Sequence, residues 1–241
     1  MKISIVVPAY NEARGLAGSL RSIREAMAAF DAAGWASELI VCDNNSTDRT
    51  AAIAREAGAD VVFEPVNQIS RARNTGAARA TGGWLVFVDA DSHPTRALFE
   101  DVAGVIRQGR CLGGGSTVRL DTAALAPRLA VVSWNAISRT LRWGAGSFVF
   151  CEASAFRTLG GFSLDLYAAE EIEFFRRLKR LARESGRSVE ILRRAPLLTS
   201  ARKAHLYTPQ EALAFVLKTV AQRGRTLRNP QDCYQWYDGR R

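Results

Sequence analysis

Apolar runs of four to six residues alternate with amphipathic stretches through the first half of the chain. Leu39–Cys42 and Leu85–Val88 are continuous and Ile3–Val7 is broken only by Ser4; all three are rich in β-branched, other aliphatic or aromatic side chains. Such runs read as strands buried on both faces. Between them Leu16, Leu20, Ile23, Met27 and Phe30 recur at steps of three and four, one helical stripe turned toward a sheet. The pattern predicts strands near 3–8, 37–42, 60–64 and 84–89, and helices near 12–30, 47–57, 68–80 and 95–108. Pro8 is expected to end the first strand. Asn11 is expected to cap the first helix, Asp43–Thr47 the second, and Asp91-Ser92 the one beginning near Pro94. Gly34, Gly58, Gly82-Gly83 and Gly109 fall where helices should stop in a left-handed residue. This strand–helix alternation implies an α/β fold with a mostly parallel sheet covered on both faces.

The second half is less regular. Strands are expected at 111–120, 147–151 and 188–192. Helical patterns cover 128–143, 153–159, 170–185 and 209–225.

Polar clusters sit where three of the early strands end: Tyr10-Asn11, Asp43-Asn44 and Asp89-Ala90-Asp91. In parallel neighbours these clusters converge on the carboxyl edge, where open α/β sheets bind ligands. Asp89 and Asp91 are two residues apart, so an extended chain points both the same way. A hard divalent cation such as Mg²⁺ or Mn²⁺ relieves their repulsion and can carry a diphosphate as well. A solvated turn capping the next helix is the competing use of the same residues.

With those residues in view, the stretches VVPAYNE, VCDNNSTDRT, SRARNTGAARATGGWLVFVDADS and LGGF…AEEIEFFRRL resemble family-2 glycosyltransferases of the GT-A, Rossmann-like nucleotide-sugar-binding fold. The resemblance covers roughly residues 1–205. It implies a metal-dependent, inverting transferase with a nucleotide-sugar-binding half (1–110), an acceptor half (111–205) and a basic helical extension (206–241). It further implies that Asp43 reads the nucleobase and that Pro8 and Tyr10 line its pocket. Glu12, Arg73, Asp89 and Ala90 are implied to contact the nucleotide sugar, and Asp91, with Asp89, to hold the metal. Arg202 and Lys203 would close on the diphosphate, and His205 is a further candidate metal ligand. Glu171, with Glu170 beside it, stands where the family carries its catalytic base. The family usually has Asp there, so the chain departs by one methylene. A non-catalytic nucleotide-sugar-binding protein of the same fold is the alternative. UDP-sugars are the expected donors, GDP-mannose next, with an acceptor hydroxyl that a lipid could carry.

Composition adjusts this picture. The 241 residues carry a net charge of +9, but residues 176–241 alone hold 16 basic and 5 acidic side chains, a net of +11. That excess suits a diphosphate or an anionic leaflet, giving peripheral membrane contact; no nucleic-acid recognition motif accompanies it. No apolar run reaches eighteen residues, and the first strand begins at once, so neither a membrane span nor a signal peptide is expected. Cys42, Cys111, Cys151 and Cys233 are scattered, and Gly-x-Gly-x-x-Gly does not follow the first strand. A reducing cytoplasm fits the first fact, and the second argues against a dinucleotide enzyme.

Overall fold

The computed structural model describes residues 1–201, 211, 218, 219, 222 and 224–233. Its strands are β1 (Lys2–Ala9), β2 (Ala36–Asp43), β3 (Asp60–Phe63), β4 (Trp84–Val88), β5 (Ser92–His93), β6 (Cys111–Leu120), β7 (Phe148–Glu152) and β8 (Ser188–Thr199). Its helices are α1 (Leu16–Ala32), α2 (Thr50–Glu56), α3 (Ile69–Arg79), α4 (Arg96–Arg107), α5 (Leu125–Leu141), α6 (Ala153–Thr158) and α7 (Glu170–Glu184). A short 3-10 helix spans Arg225–Arg228.

One eight-stranded sheet runs in the order β3-β2-β1-β4-β7-β6-β8-β5. β1 pairs in parallel with β2 and β4, and β2 with β3. The three early strand ends therefore lie side by side on one edge, as their sequence implied. β7 reverses the direction against β4 and β6, and β6 and β8 are parallel again.

Each sheet face has its own core. Ile3, Ile5 and Val7 pack with Leu20, Phe30 and Phe99 from α1 and α4. Val6, Leu85 and Phe87 pack on the other side with Phe156, Phe162 and Phe174. The alternation within β1 is the two-residue period of a strand dividing its side chains between faces.

Several local expectations are corrected. β1 continues through Pro8 to Ala9, because pairing with β4 ends at Val6 and Pro8 lies past the last partner there. Asn11 does not cap α1: it takes a left-handed conformation, φ 52°, and the residue before the helix is Gly15. Its Oδ1 instead accepts from the Thr47 N–H at 2.8 Å. α2 starts at Thr50, whose N–H donates to Asp48 rather than to Asp43–Thr47. Thr95, not Asp91-Ser92, caps α4 by accepting from Leu98 N–H. Gly34, Gly58 and Gly109 are left-handed as expected, whereas Gly82 and Gly83 are not. β8 runs to Thr199 and β5 adds two residues against it. The expected helix over 209–225 lies mostly outside the described residues.

α5 is held to the sheet by few groups. The Asn135 side chain accepts from Val118 N–H and donates to Val118 O, at 3.0 and 2.9 Å. Ser138 is its one fully buried residue, while Leu125, Leu129 and Val132 stand 69, 56 and 62 % exposed on the outer face.

Candidate active site

Arg73 is the centre of the site. α3 buries Ser70, Ala72, Arg73 and Gly76 on the face it turns to β1 and β2, where Gly76 packs directly on Val6 and Cys42. Arg73 is 1 % exposed. Its Nη1 donates to Glu170 at 2.6 Å, and its Nη2 donates to Asp89 at 2.9 Å and to the Gly146 carbonyl at 2.7 Å. Its plane lies 5.2 Å from the Phe162 ring centre. Burial is the largest influence and opposes the charge, but the carboxylates of Asp89, Glu170 and Glu171 outweigh it and raise the pKa. Nε stays buried without a hydrogen-bond partner among the described residues. The resemblance implied that Arg73 contacts the nucleotide. Nη1 and Nη2 are engaged by the protein itself, and the positively charged group orients two carboxylates.

Those carboxylates come from the two halves of the chain. Asp89 follows β4, its N–H bonded to Ser147 O, and Ser92 N–H returns to Asp89 O in a tight turn over Ala90, which is buried. That turn brings Asp91 back beside β8, where its carbonyl accepts from Ser200 N–H. Glu170 opens α7 after Ala169, which is left-handed at φ 60°. Glu170 is buried against Arg73. Glu171 is placed differently: it is half-buried and stands against Gly146. A methyl group added at Gly146 would come within 3.3 Å of the Glu171 carboxyl carbon, so the missing side chain is what admits this carboxyl. Burial first, and the neighbouring Glu170 second, raise the Glu171 pKa to about 8, against the opposing pull of Arg73. A carboxyl held near neutrality in a cleft has the character of a general base or acid.

On the nucleotide side, Asp43 ends β2 and is buried, with Oδ1 accepting from Ser46 N–H at 3.2 Å. Pro8 is buried next to it, and Tyr10 is partly exposed at the rim. Glu12 is buried, its N–H donating to Thr50 Oγ1 at 2.8 Å. Asn44, from the strand-end pair Asp43-Asn44, and Gln68, which the sequence pattern did not single out, tie this edge to the second half. Gln68 N–H donates to Asn44 Oδ1, and Gln68 Nε2 donates to the carbonyls of Leu164 and Leu166. Arg71 bonds to Gln68, facing away from Arg73. His93 lies in β5 with Nδ1 3.2 Å from Ser22 Oγ. Arg202, Lys203 and His205 lie outside the described residues.

Among the described residues, no group of three His, Cys, Asp or Glu side chains is placed to enclose a metal. Among the described residues, Asp89 and Asp91 supply the carboxylate donors at this strand end. Two carboxylates completed by substrate phosphate oxygens and water are what Mg²⁺ and Mn²⁺ accept, so the donor set fits a cation shared with a diphosphate.

The family model of glycosyl transferase family 2 matches residues 4–156, and the chain belongs to that family. It is similar to glycosyltransferase AglE of Haloferax volcanii, 31% identical over 121 residues, which cover 47% of this chain and 38% of AglE. The match thus spans well under half of that relative's length. Among solved structures it is similar to the mannosyltransferase PcManGT of Pyrobaculum calidifontis in complex with GDP-Man and Mn²⁺ (TM-score 0.64, 20% identity, 98% of this chain and 73% of that one). It is also similar to S. aureus TarS in complex with UDP-GlcNAc (TM-score 0.64, 19% identity, 83% and 58%). The architecture is the GT-A fold of these glycosyltransferases.

Proposed function

We propose that this chain transfers a glycosyl group from a nucleoside diphosphate sugar to an acceptor hydroxyl with inversion, and that Glu171 is the base. One observation carries this reading. The half-buried Glu171 carboxyl, shifted toward neutrality, stands in one cluster with Arg73 and the strand-end Asp89. The base and the metal-side carboxylate are thus built into one unit, although 82 residues separate them in sequence.

Asp43 accepts an N–H from the nucleobase, and Pro8 and Tyr10 wall its pocket. Asp91 and Asp89 hold a divalent cation, Mn²⁺ or Mg²⁺, which supplies the positive charge that stabilises the departing diphosphate. Arg73 keeps the Asp89 carboxylate turned to the edge. Glu171 takes the proton of the acceptor hydroxyl as that oxygen attacks the anomeric carbon. Glu170, spent on Arg73, is the positioning partner. The extra methylene of Glu171 relative to the family's usual Asp is accommodated by the bare backbone at Gly146. UDP-sugar is the proposed donor, and GDP-mannose is the alternative that a nucleotide screen would reveal.

Thermal-shift measurements with UDP and GDP, with and without Mn²⁺, test the donor. Release of UDP that requires both acceptor and Glu171 tests the transfer. Donor binding with no transfer to any acceptor would make the chain a binding protein instead.

Peripheral contact with an anionic leaflet belongs to the same reading. No described helix is long and apolar enough to cross a membrane. The outer face of α5, with Leu125, Leu129 and Val132, is apolar, and residues 122–151 contain Arg128, Arg139 and Arg142 but no acidic residue. Basic amphipathic helices of this kind lie in the headgroup plane. Co-sedimentation with phosphatidylglycerol vesicles should fall with added salt and in Leu129→Asp. Equal recovery with phosphatidylcholine would remove the contact.

A further inference from the structure

Beside the base lies a second cavity, of about 610 Å³, between the start of α7 and the 3-10 helix Arg225–Arg228. The backbone joins these two walls, Tyr167 N–H donating to Leu227 O at 2.7 Å. Ala169, Ile172 and Glu173 line it, so it takes its floor from the residues on either side of Glu171. Trp143, three residues before Gly146, forms another wall. Glu171 does not itself line the cavity, but it stands in the same first turn of α7, between the lining residues Ala169 and Ile172, so a ligand here lies beside the base.

Its chemistry is two-sided. Arg176, Arg225 and Arg228 present guanidinium groups, while Trp143, Leu166, Ile172 and Leu227 give apolar walls. Glu173, the one acidic lining residue, is already spent on Arg177, at 2.7 and 2.5 Å. Among the described residues, no carboxylate lies within ion-pair distance of Arg176, Arg225 or Arg228. Arg176 stacks over Trp143, 5.6 Å from the ring centre, which fixes its plane at the cavity wall. Three arginines with no carboxylate partner among the described residues, set around an apolar hollow, favour a doubly charged anion that guanidinium groups can grip in pairs. The volume is that of a small-molecule site.

Building on the transferase reading above, we infer that this cavity is the acceptor subsite, and that it takes a phosphate monoester with an apolar body. The phosphate is gripped by Arg176, Arg225 and Arg228, the apolar body lies along Trp143 and Ile172, and a hydroxyl of the same molecule reaches Glu171. The phosphate anchors the acceptor and takes no part in the bond that forms.

The test uses the full chain and calorimetry with phenyl phosphate, inorganic phosphate and phenol, each with and without saturating UDP and Mn²⁺. Phenyl phosphate should bind on the order of tenfold more tightly than inorganic phosphate, from the ring area it buries. It should bind at least as well with UDP present, and phenol should not bind detectably. In Arg225→Gln/Arg228→Gln, two exposed substitutions, phenyl phosphate affinity should fall by at least about tenfold, while UDP affinity and the melting temperature stay unchanged. Displacement of phenyl phosphate by UDP would place the anion in the donor site and overturn the assignment. So would a variant that binds as wild type, or phenol that binds as well as phenyl phosphate. Competition by dihexanoyl phosphatidic acid would assign the phosphate to a lipid headgroup, and competition by glycerol 3-phosphate to a soluble metabolite; competition by neither would overturn the subsite. If UDP fails to bind while these phosphate results hold, the transferase reading falls and the anion site stands.

Discussion

Replacing Arg73 by methionine tests the centre of the site. Methionine keeps much of the aliphatic volume beside Phe162 and removes the charge. Two carboxylates then lose their partner, but they do not suffer equally. The Asp89 side chain is 25% exposed and can hydrate, whereas that of Glu170 is 5% exposed and cannot. Breaking a buried ion pair from one side costs about 3–5 kcal/mol. With Asp89 partly relieved by water, the lower end, about 3 kcal/mol, applies. For a chain of this size that lowers Tm by roughly 6–12 °C. Adding Glu170→Gln to Arg73→Met removes the stranded charge and should recover more than half of the loss. Urea unfolding of wild type, both single variants and the double variant gives the coupling directly. A loss below about 1 kcal/mol in Arg73→Met, or no recovery in the double variant, would refute the buried pair as the organiser of this site.

Other outcomes follow from the same geometry. Transfer should rise with pH through about 8 as Glu171 ionises, and Glu171→Gln should erase that limb and lower kcat by on the order of a hundredfold or more while UDP still binds. Stability carries the opposite sign. A carboxyl whose pKa is raised on folding, here from 4.5 to about 8, favours the folded state at low pH and loses that contribution as pH climbs through 8. The urea midpoint of the metal-free protein should therefore fall between pH 5 and pH 8, and fall less in Glu171→Gln. Asp91→Ala should abolish Mn²⁺-dependent UDP binding with an unchanged melting curve; retained metal-dependent affinity would release Asp91 from its role. Gly76→Ala would set a methyl 2.4 Å from Val6 Cγ1, and this overpacking should cost about 1–3 kcal/mol in urea unfolding despite alanine's better helix propensity.

The sequence exposes the early strands because buried parallel strands are near-continuous apolar runs, and exposes the ends of α1, α2 and α4 through left-handed Gly34, Gly58 and Gly109. β5 was illegible: two residues form a strand only because β8 arrives from a hundred residues away to pair with them. The far end of β8 hid behind Arg193, Arg194 and Pro196, which break the apolar run and fall where the parallel ladder to β6 shifts register, between Leu192 and Leu197, before it resumes. Asn11 misled because its side chain can serve either its own helix or a neighbouring loop, and tertiary structure chose Thr47. Asp43, Asp89 and Asp91 could be named from strand ends alone, but the burial of Arg73 could not. Arginine is rarely so enclosed, and Glu170 lies 97 residues on.

The Asn44–Gln68 contact has a mechanical consequence. Asn44 leaves β2 directly after Asp43, and Gln68 carries its hold on to the carbonyls of Leu164 and Leu166, a few residues before Glu171. Both amides are almost fully buried, so neither can exchange these partners for water. A nucleobase that pulls on the end of β2 thereby pulls on the segment that delivers the base to the acceptor. Coupling of this kind works equally in both directions. Whatever factor the donor adds to acceptor affinity, the acceptor must return to the donor, and Gln68→Ala should cut that mutual factor toward one while leaving each ligand able to bind alone.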